Sequence, residues 1–80
     1  MTKTVEQRVA DVVAQQFMMH GEHVTPEQDI FEDLGGDSLD AIEIVMELEN
    51  EFDIDISDAS VEGVKTVQQL IDLVKPLVDH

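Results

Sequence analysis

The 80-residue chain carries 19 acidic and 4 basic residues, a formal charge of −15, so nucleic acid and anionic membranes repel it while basic protein patches are steered toward it. A chain of this size is expected to form one domain, residues 1–80. It buries only about 60% of the surface its unfolded form exposes, which argues against a large enclosed active site. With no cysteine present, disulfides, thiolate zinc sites and cysteine nucleophiles are excluded, and any thiol chemistry has to be imported.

Val5, Val9, Val12, Val13 and Phe17 recur at helical spacing and predict an amphipathic helix over about residues 3–19, ended by Gly21. Glu6, Arg8 and Asp11 interrupt this stretch, which argues against a signal peptide or membrane span, so a soluble, cytoplasmic protein is expected. Thr25-Pro26-Glu27-Gln28 combines an N-cap, a proline at the first helical position and an acceptor three residues on, the pattern of a short helical turn opening a long loop. After Gly35-Gly36, Asp37 is the expected N-cap of a second helix, with Ser38 at its first position and Asp40 at its third, running to about Phe52.

Asp53-Ile54-Asp55-Ile56 alternates like a strand, but four residues without a partner read better as a linker. Ser57 or Asp58 caps a short helix reaching Glu62 before Gly63. Thr66-Val67-Gln68-Gln69 is a capping box that opens a last helix with Val67, Leu70, Ile71 and Val74 on one face. Pro76 is expected to kink or stop that helix near Lys75. The fold class is therefore all-α: a small bundle of three amphipathic helices plus one short one, with a long loop between the first and second.

The second helix is apolar on two sides. At about 100° per residue, Ala41, Ile44, Val45, Leu48 and Phe52 cluster on one face, enough to meet a core, while Leu39, Ile42 and Met46 fall opposite. Acids border that second ridge, the composition of a docking surface for basic partners.

Ser38 admits three readings. Gly36-Asp37-Ser38-Leu39 is similar to the tetrapeptide of GDSL esterases. Those enzymes need a sheet scaffold, an oxyanion hole and a placed histidine, whereas His20, His23 and His80 here have no pocket to serve. A serine at a helix start is also simply common. The third reading is covalent attachment.

From Phe31 to Asp58 the chain resembles an acyl carrier protein. Asp37-Ser38-Leu39-Asp40 is similar to the signature that receives 4′-phosphopantetheine, and Glu43-Ile44-Val45-Met46-Glu47-Leu48-Glu49 with Glu51-Phe52 continues the match. Val5-Glu6-Gln7-Arg8-Val9 and Thr66-Val67-Gln68-Gln69-Leu70-Ile71 extend it over nearly the whole chain. The resemblance implies that a phosphopantetheinyl transferase moves the arm from coenzyme A to Ser38, and that the arm's thiol carries acyl groups between enzymes. The chain itself is then no enzyme. It further implies that acyl-transferring and elongating enzymes with basic patches dock on Asp37, Leu39, Asp40, Ile42, Glu43, Met46 and Glu49, and that Val45, Leu48, Ile56, Val61 and Leu70 line any shelter for the acyl chain. A phosphodiester on Ser38 would meet unpaired amides and the positive end of the helix dipole, and Gly35-Gly36 would clear side chains from a transferase's path.

Gly36 stands where fatty-acid carriers often have Ala, and the Gly-Gly pair is similar to that of peptidyl carrier domains. Asp40 and the dense acidity after it favour a discrete fatty-acid or polyketide carrier. The competing class is an unmodified acidic adaptor that binds basic proteins without any arm.

His20 and His23 without a third placed ligand do not make a metal site, and Asp53, Asp55 and Asp58 lack the glycine and distal glutamate of an EF-hand loop. From Glu27 to Glu62 there are 14 acids and no Lys or Arg, so the fold should repel itself at low salt. Added salt or millimolar divalent cations are expected to raise the melting temperature, and a temperature that stays flat across the series contradicts this.

Overall fold

The computed structural model of the protein describes residues 3–78. Four α-helices are present among them: α1 (Val5–Gln16), α2 (Ser38–Phe52), α3 (Asp58–Val61) and α4 (Val67–Val78), with a 3-10 turn at Gly21–His23. The all-helical class and the three-plus-one arrangement match expectation.

Local pairs set the helix starts. Thr4 and Gln7 form a reciprocal capping box at α1, as do Asp37 and Asp40 at α2. Thr66 accepts from the Gln69 amide while Gln69 Oε1 takes the Thr66 amide, which opens α4. Ser57, rather than Asp58, caps α3. Each such cap stabilises its helix by about 1 kcal/mol.

Three boundaries differ from expectation. α1 ends at Gln16 and not near Gly21, because Met18 adopts the left-handed conformation at φ 56°. Its neighbours complete the turn: the Met19 amide donates to Ala14 O at 2.9 Å and the Met18 amide to Gln15 O at 3.4 Å. Glycine usually fills that position. Thr25 to Gln28 forms a turn and not a helix, closed by the Gln28 amide on Thr25 O and the Thr25 amide on Gln28 Oε1. Of the two outcomes expected near Lys75, a kink or a stop, the stop does not occur: α4 runs through Pro76 to Val78. Pro76 is exposed and removes a single amide in the final turn, where Asp72 is itself exposed and water can satisfy the freed carbonyl. Residues 53–56 form no strand, although Ile56 is buried and Ile54 half-buried while both aspartates stay exposed.

The core is aliphatic. Val9 and Val13 of α1, Ile44 and Leu48 of α2, and Val67, Leu70 and Val74 of α4 are at most 2% exposed, joined by Ile30 from the long loop. No polar side chain is buried among the described residues. α1 packs against both α2 and α4. Surface pairs add to this: Arg8 bonds Glu51 Oε2 at 2.9 Å and Glu51 O at 2.8 Å, with its guanidinium carbon 4.2 Å from the Phe52 ring centre. Lys75 meets Glu6 at 3.0 Å, tying α4 to α1.

The loop before α2 is pinned at Ile30, whose amide donates to Lys65 O at 2.7 Å and whose carbonyl accepts from the Gly36 amide at 2.8 Å. Gly36 faces Phe17 closely: a Cβ there would lie 2.7 Å from Phe17 Cζ and 3.1 Å from Ile30 O. The absent side chain therefore makes room for Phe17, whereas around Gly35, at φ +75°, the space is open. Gly36→Ala is expected to lower stability by about 1–2 kcal/mol, the range for mild overpacking. Adding Phe17→Leu should recover more than half of that loss in urea or thermal unfolding.

Candidate functional site

Ser38 is the first residue of α2 and is exposed. The cap beside it is Asp37, whose Oδ1 accepts the amides of Leu39 at 3.0 Å and Asp40 at 3.1 Å. In return Asp40 Oδ2 accepts the Asp37 amide at 3.0 Å. The capping work is thus done by carboxylates on either side, and the serine hydroxyl is not the group that closes the helix. The first-turn amides of Leu39 and Asp40, expected to be unpaired, are occupied by Asp37.

The helix buries one face and exposes the other. Ile44 and Leu48 are fully enclosed and Val45 is 7% exposed, while Leu39 is 61%, Ile42 55% and Met46 57% exposed. Burying a side chain of this kind fully is worth about 1.5–3 kcal/mol, so three in a line leave a substantial gain for a partner to collect.

Ser38, Ile42 and Met46 also border a cleft of about 670 Å³ between α2, α3 and the segment leading into α4. Its walls include Val45, Ile56, Val61 and Leu70, four of the five expected lining residues, with Asp58, Glu62 and Lys65 also on it. Leu48 is enclosed elsewhere in the core and does not line it.

The acids expected on the docking face take different positions. Asp37 and Glu43 are exposed, and Asp40 and Glu49 are half-buried. Glu49 turns toward the linker, where its Oε2 accepts the Ile56 amide at 2.9 Å. Asp40 and Glu43 share a donor that sequence reasoning missed, the side-chain amide of Gln16 at the end of α1. Nothing marks Gln16 in the sequence, since a glutamine between apolar positions reads as ordinary surface.

His20 precedes the 3-10 turn and His23 ends it, their rings meeting edge to face with centres 5.8 Å apart, and neither borders the cleft with Ser38. His80 lies outside the described residues. Among those residues no group of three or more potential ligands is placed to hold a metal ion, and no helix is long and apolar enough to cross a membrane.

The Gln16 amide, then the Asp37 backbone amide, hold the Asp40 carboxyl below the ordinary aspartate range. At Glu6 the backbone amide at the start of α1, then Lys75, do the same. Both groups bind their proton less readily folded than unfolded. Their contribution to stability is therefore present above the unfolded pKa and is lost as pH falls through the lowered folded value. Carboxyl-carbon NMR titration should find Asp40 and Glu6 more than half ionised where free aspartate and glutamate are half protonated, and ordinary midpoints at both would contradict the assignment.

Residues 7–74 match the family described as the phosphopantetheine attachment site. An acyl carrier protein of Chlorobium phaeobacteroides is 41% identical over 70 residues, 88% of this chain and 90% of that protein. A solved structure from Mycobacterium tuberculosis, assigned as an acyl carrier protein, superposes with a TM-score of 0.85 at 30% identity, covering 91% of this chain and 97% of the other. With the helical fold and the matched stretch spanning the exposed-serine helix, the chain belongs to the acyl carrier protein family, whose members are carriers and not catalysts and bear a covalent phosphopantetheine group.

Proposed function

We propose that Ser38 is the attachment point of 4′-phosphopantetheine, donated by coenzyme A, and that the chain shuttles acyl groups between enzymes of fatty-acid or related polyketide biosynthesis. The observation that carries this reading is the placement of Ser38: exposed at the first position of α2 while Asp37 does the capping, and bordering an apolar cleft. When bound, the arm supplies the thiol that a cysteine-free chain lacks, and acyl groups ride on it as thioesters.

The residues present fit that group. The exposed hydroxyl can be reached by a transferase, and the helix dipole offsets part of the repulsion that Asp37 and Asp40 exert on a phosphodiester. Arm and cargo can fold back between α2 and α3, where Val45, Ile56, Val61 and Leu70 offer an apolar wall to an acyl chain. The Cβ-free Gly36 serves the Phe17 contact, so clearance for a transferase falls to Gly35.

Partners are a phosphopantetheinyl transferase and acyl-handling enzymes with basic patches, which dock on the chain as a cytoplasmic monomer. They approach over Asp37, Leu39, Asp40, Ile42, Glu43, Met46 and Glu49, the apolar ridge and its acidic margin. Charge speeds the encounter, and a ridge of three side chains is small enough for quick release.

Incubation with coenzyme A and a promiscuous phosphopantetheinyl transferase should add the mass of one arm to the chain and none to Ser38→Ala. An unchanged wild-type mass, or an equal gain in the variant, would refute attachment at Ser38.

A further inference from the structure

Gln16 closes α1, yet its side chain works on α2. Its Nε2 donates to Asp40 Oδ1 at 2.8 Å and to Glu43 Oε1 at 2.7 Å. A side-chain amide carries two N–H donors, and here each has one carboxylate. Asp40 Oδ2 is taken in turn by the Asp37 amide at 3.0 Å, so the Asp40 carboxylate is held at both oxygens.

Three features make this contact more than ordinary surface packing. Asp40 and Glu43 stand three residues apart on one helix flank, where like charges repel. The bonds bridge 24 and 27 residues of sequence, so they join two helices and not neighbours on one. The donor is also uncharged: a lysine or arginine in its place would satisfy the same oxygens while cancelling part of their field. Beside Glu43, α1 contributes Val12, Gln15 and Gln16, none of them charged, and α2 adds Met46 and Glu47, while Asp40 is bonded to Asp37.

We propose that Gln16 is a positioning residue for partner docking, which sets Asp40 and Glu43 as a fixed pair of carboxylates without discharging them. This rests on the reading that α2 is the docking face. An unfixed glutamate gives up rotamer freedom when it meets a partner, and holding it beforehand removes that cost from binding. Glu43 Oε2 is left for an incoming guanidinium or ammonium group. Partners of this chain therefore meet a preset pair of carboxylates at the helix start, whose open oxygen on Glu43 takes a basic side chain while Asp40 adds its charge to the attraction.

The test is transferase-catalysed loading of the full chain with coenzyme A, comparing wild type, Gln16→Ala, Gln16→Lys, Asp40→Asn and Leu39→Ala across a salt series. Gln16→Ala should raise the KM for the carrier about two- to fivefold, the range of an exposed charge contact, with kcat unchanged. It keeps both charges, so the steepness of the salt dependence should stay as in wild type. Gln16→Lys, which puts a positive charge between the two carboxylates, should flatten the salt dependence. Carboxyl-carbon NMR on Gln16→Ala should show Asp40 moving back up toward the ordinary aspartate range. A wild-type KM in Gln16→Ala, alongside a loss in Asp40→Asn, overturns the positioning role and leaves the docking face standing. No loss in Asp40→Asn or in Leu39→Ala overturns the docking face itself.

Discussion

The reciprocal bonds between Asp37 and Asp40 decide where α2 begins, and the rest of the molecule's surface follows from that choice. A helix start fixes the phase of every residue after it, because each advances the side-chain direction by about 100°. With Ser38 as the first helical residue, Ile44, Val45 and Leu48 turn into the core, and Leu39, Ile42 and Met46 necessarily turn out. The exposed ridge is thus the geometric remainder of a buried stripe, set by two carboxylates and three amides.

What holds that helix start in space is mostly backbone and aliphatic. Ile30, 1% exposed, ties Lys65 on one side and Gly36 on the other, so the loop before Ser38 is fastened to the segment leading into α4. Phe17 then presses on Gly36 from the end of α1. The ion pairs of Arg8 and Lys75 are exposed, and pairs of that kind contribute about 0–1 kcal/mol each. Aliphatic burial carries the larger share, and it leaves the surface charge free to serve recognition.

Much of this was legible because it is local. Capping boxes at Asp37 and Thr66 are pairs three residues apart, and the apolar stripes of α1, α2 and α4 repeat within single helices. Thr4-Val5-Glu6-Gln7 carries the same box signal at α1 and could have been read the same way. The end of α1 was not legible, because the left-handed turn there falls on an exposed methionine and not on the glycine that usually marks it, and is closed by backbone bonds from Met18 and Met19 that no side chain announces. Proline within α4 reads as a kink or a stop when the rule is applied to any turn, but in an exposed last turn one missing amide is cheap and the helix continues. The Gln16 contacts and the Ile30 anchor join residues far apart in sequence, and no periodicity encodes such pairs.

The acidic segment raises a last physical question: how 14 acids between Glu27 and Glu62, with no lysine or arginine among them, are held in place without being neutralised. Most of the fixed carboxylates there are held by neutral N–H groups. Asp29 accepts the amides of Phe31 and Glu32, Asp33 that of Asp29, Asp37 those of Leu39 and Asp40, and Glu49 that of Ile56. Gln16 extends the same solution to Asp40 and Glu43 across two helices. Glu51 departs from it, meeting Arg8 near the far end of α2 from Ser38. Hydrogen bonds to a carboxylate order it as firmly as a cation would, but they leave its charge in the field. An acidic face built in this way keeps its attraction for basic proteins while its geometry is already set, at the expense of the self-repulsion that added salt should relieve.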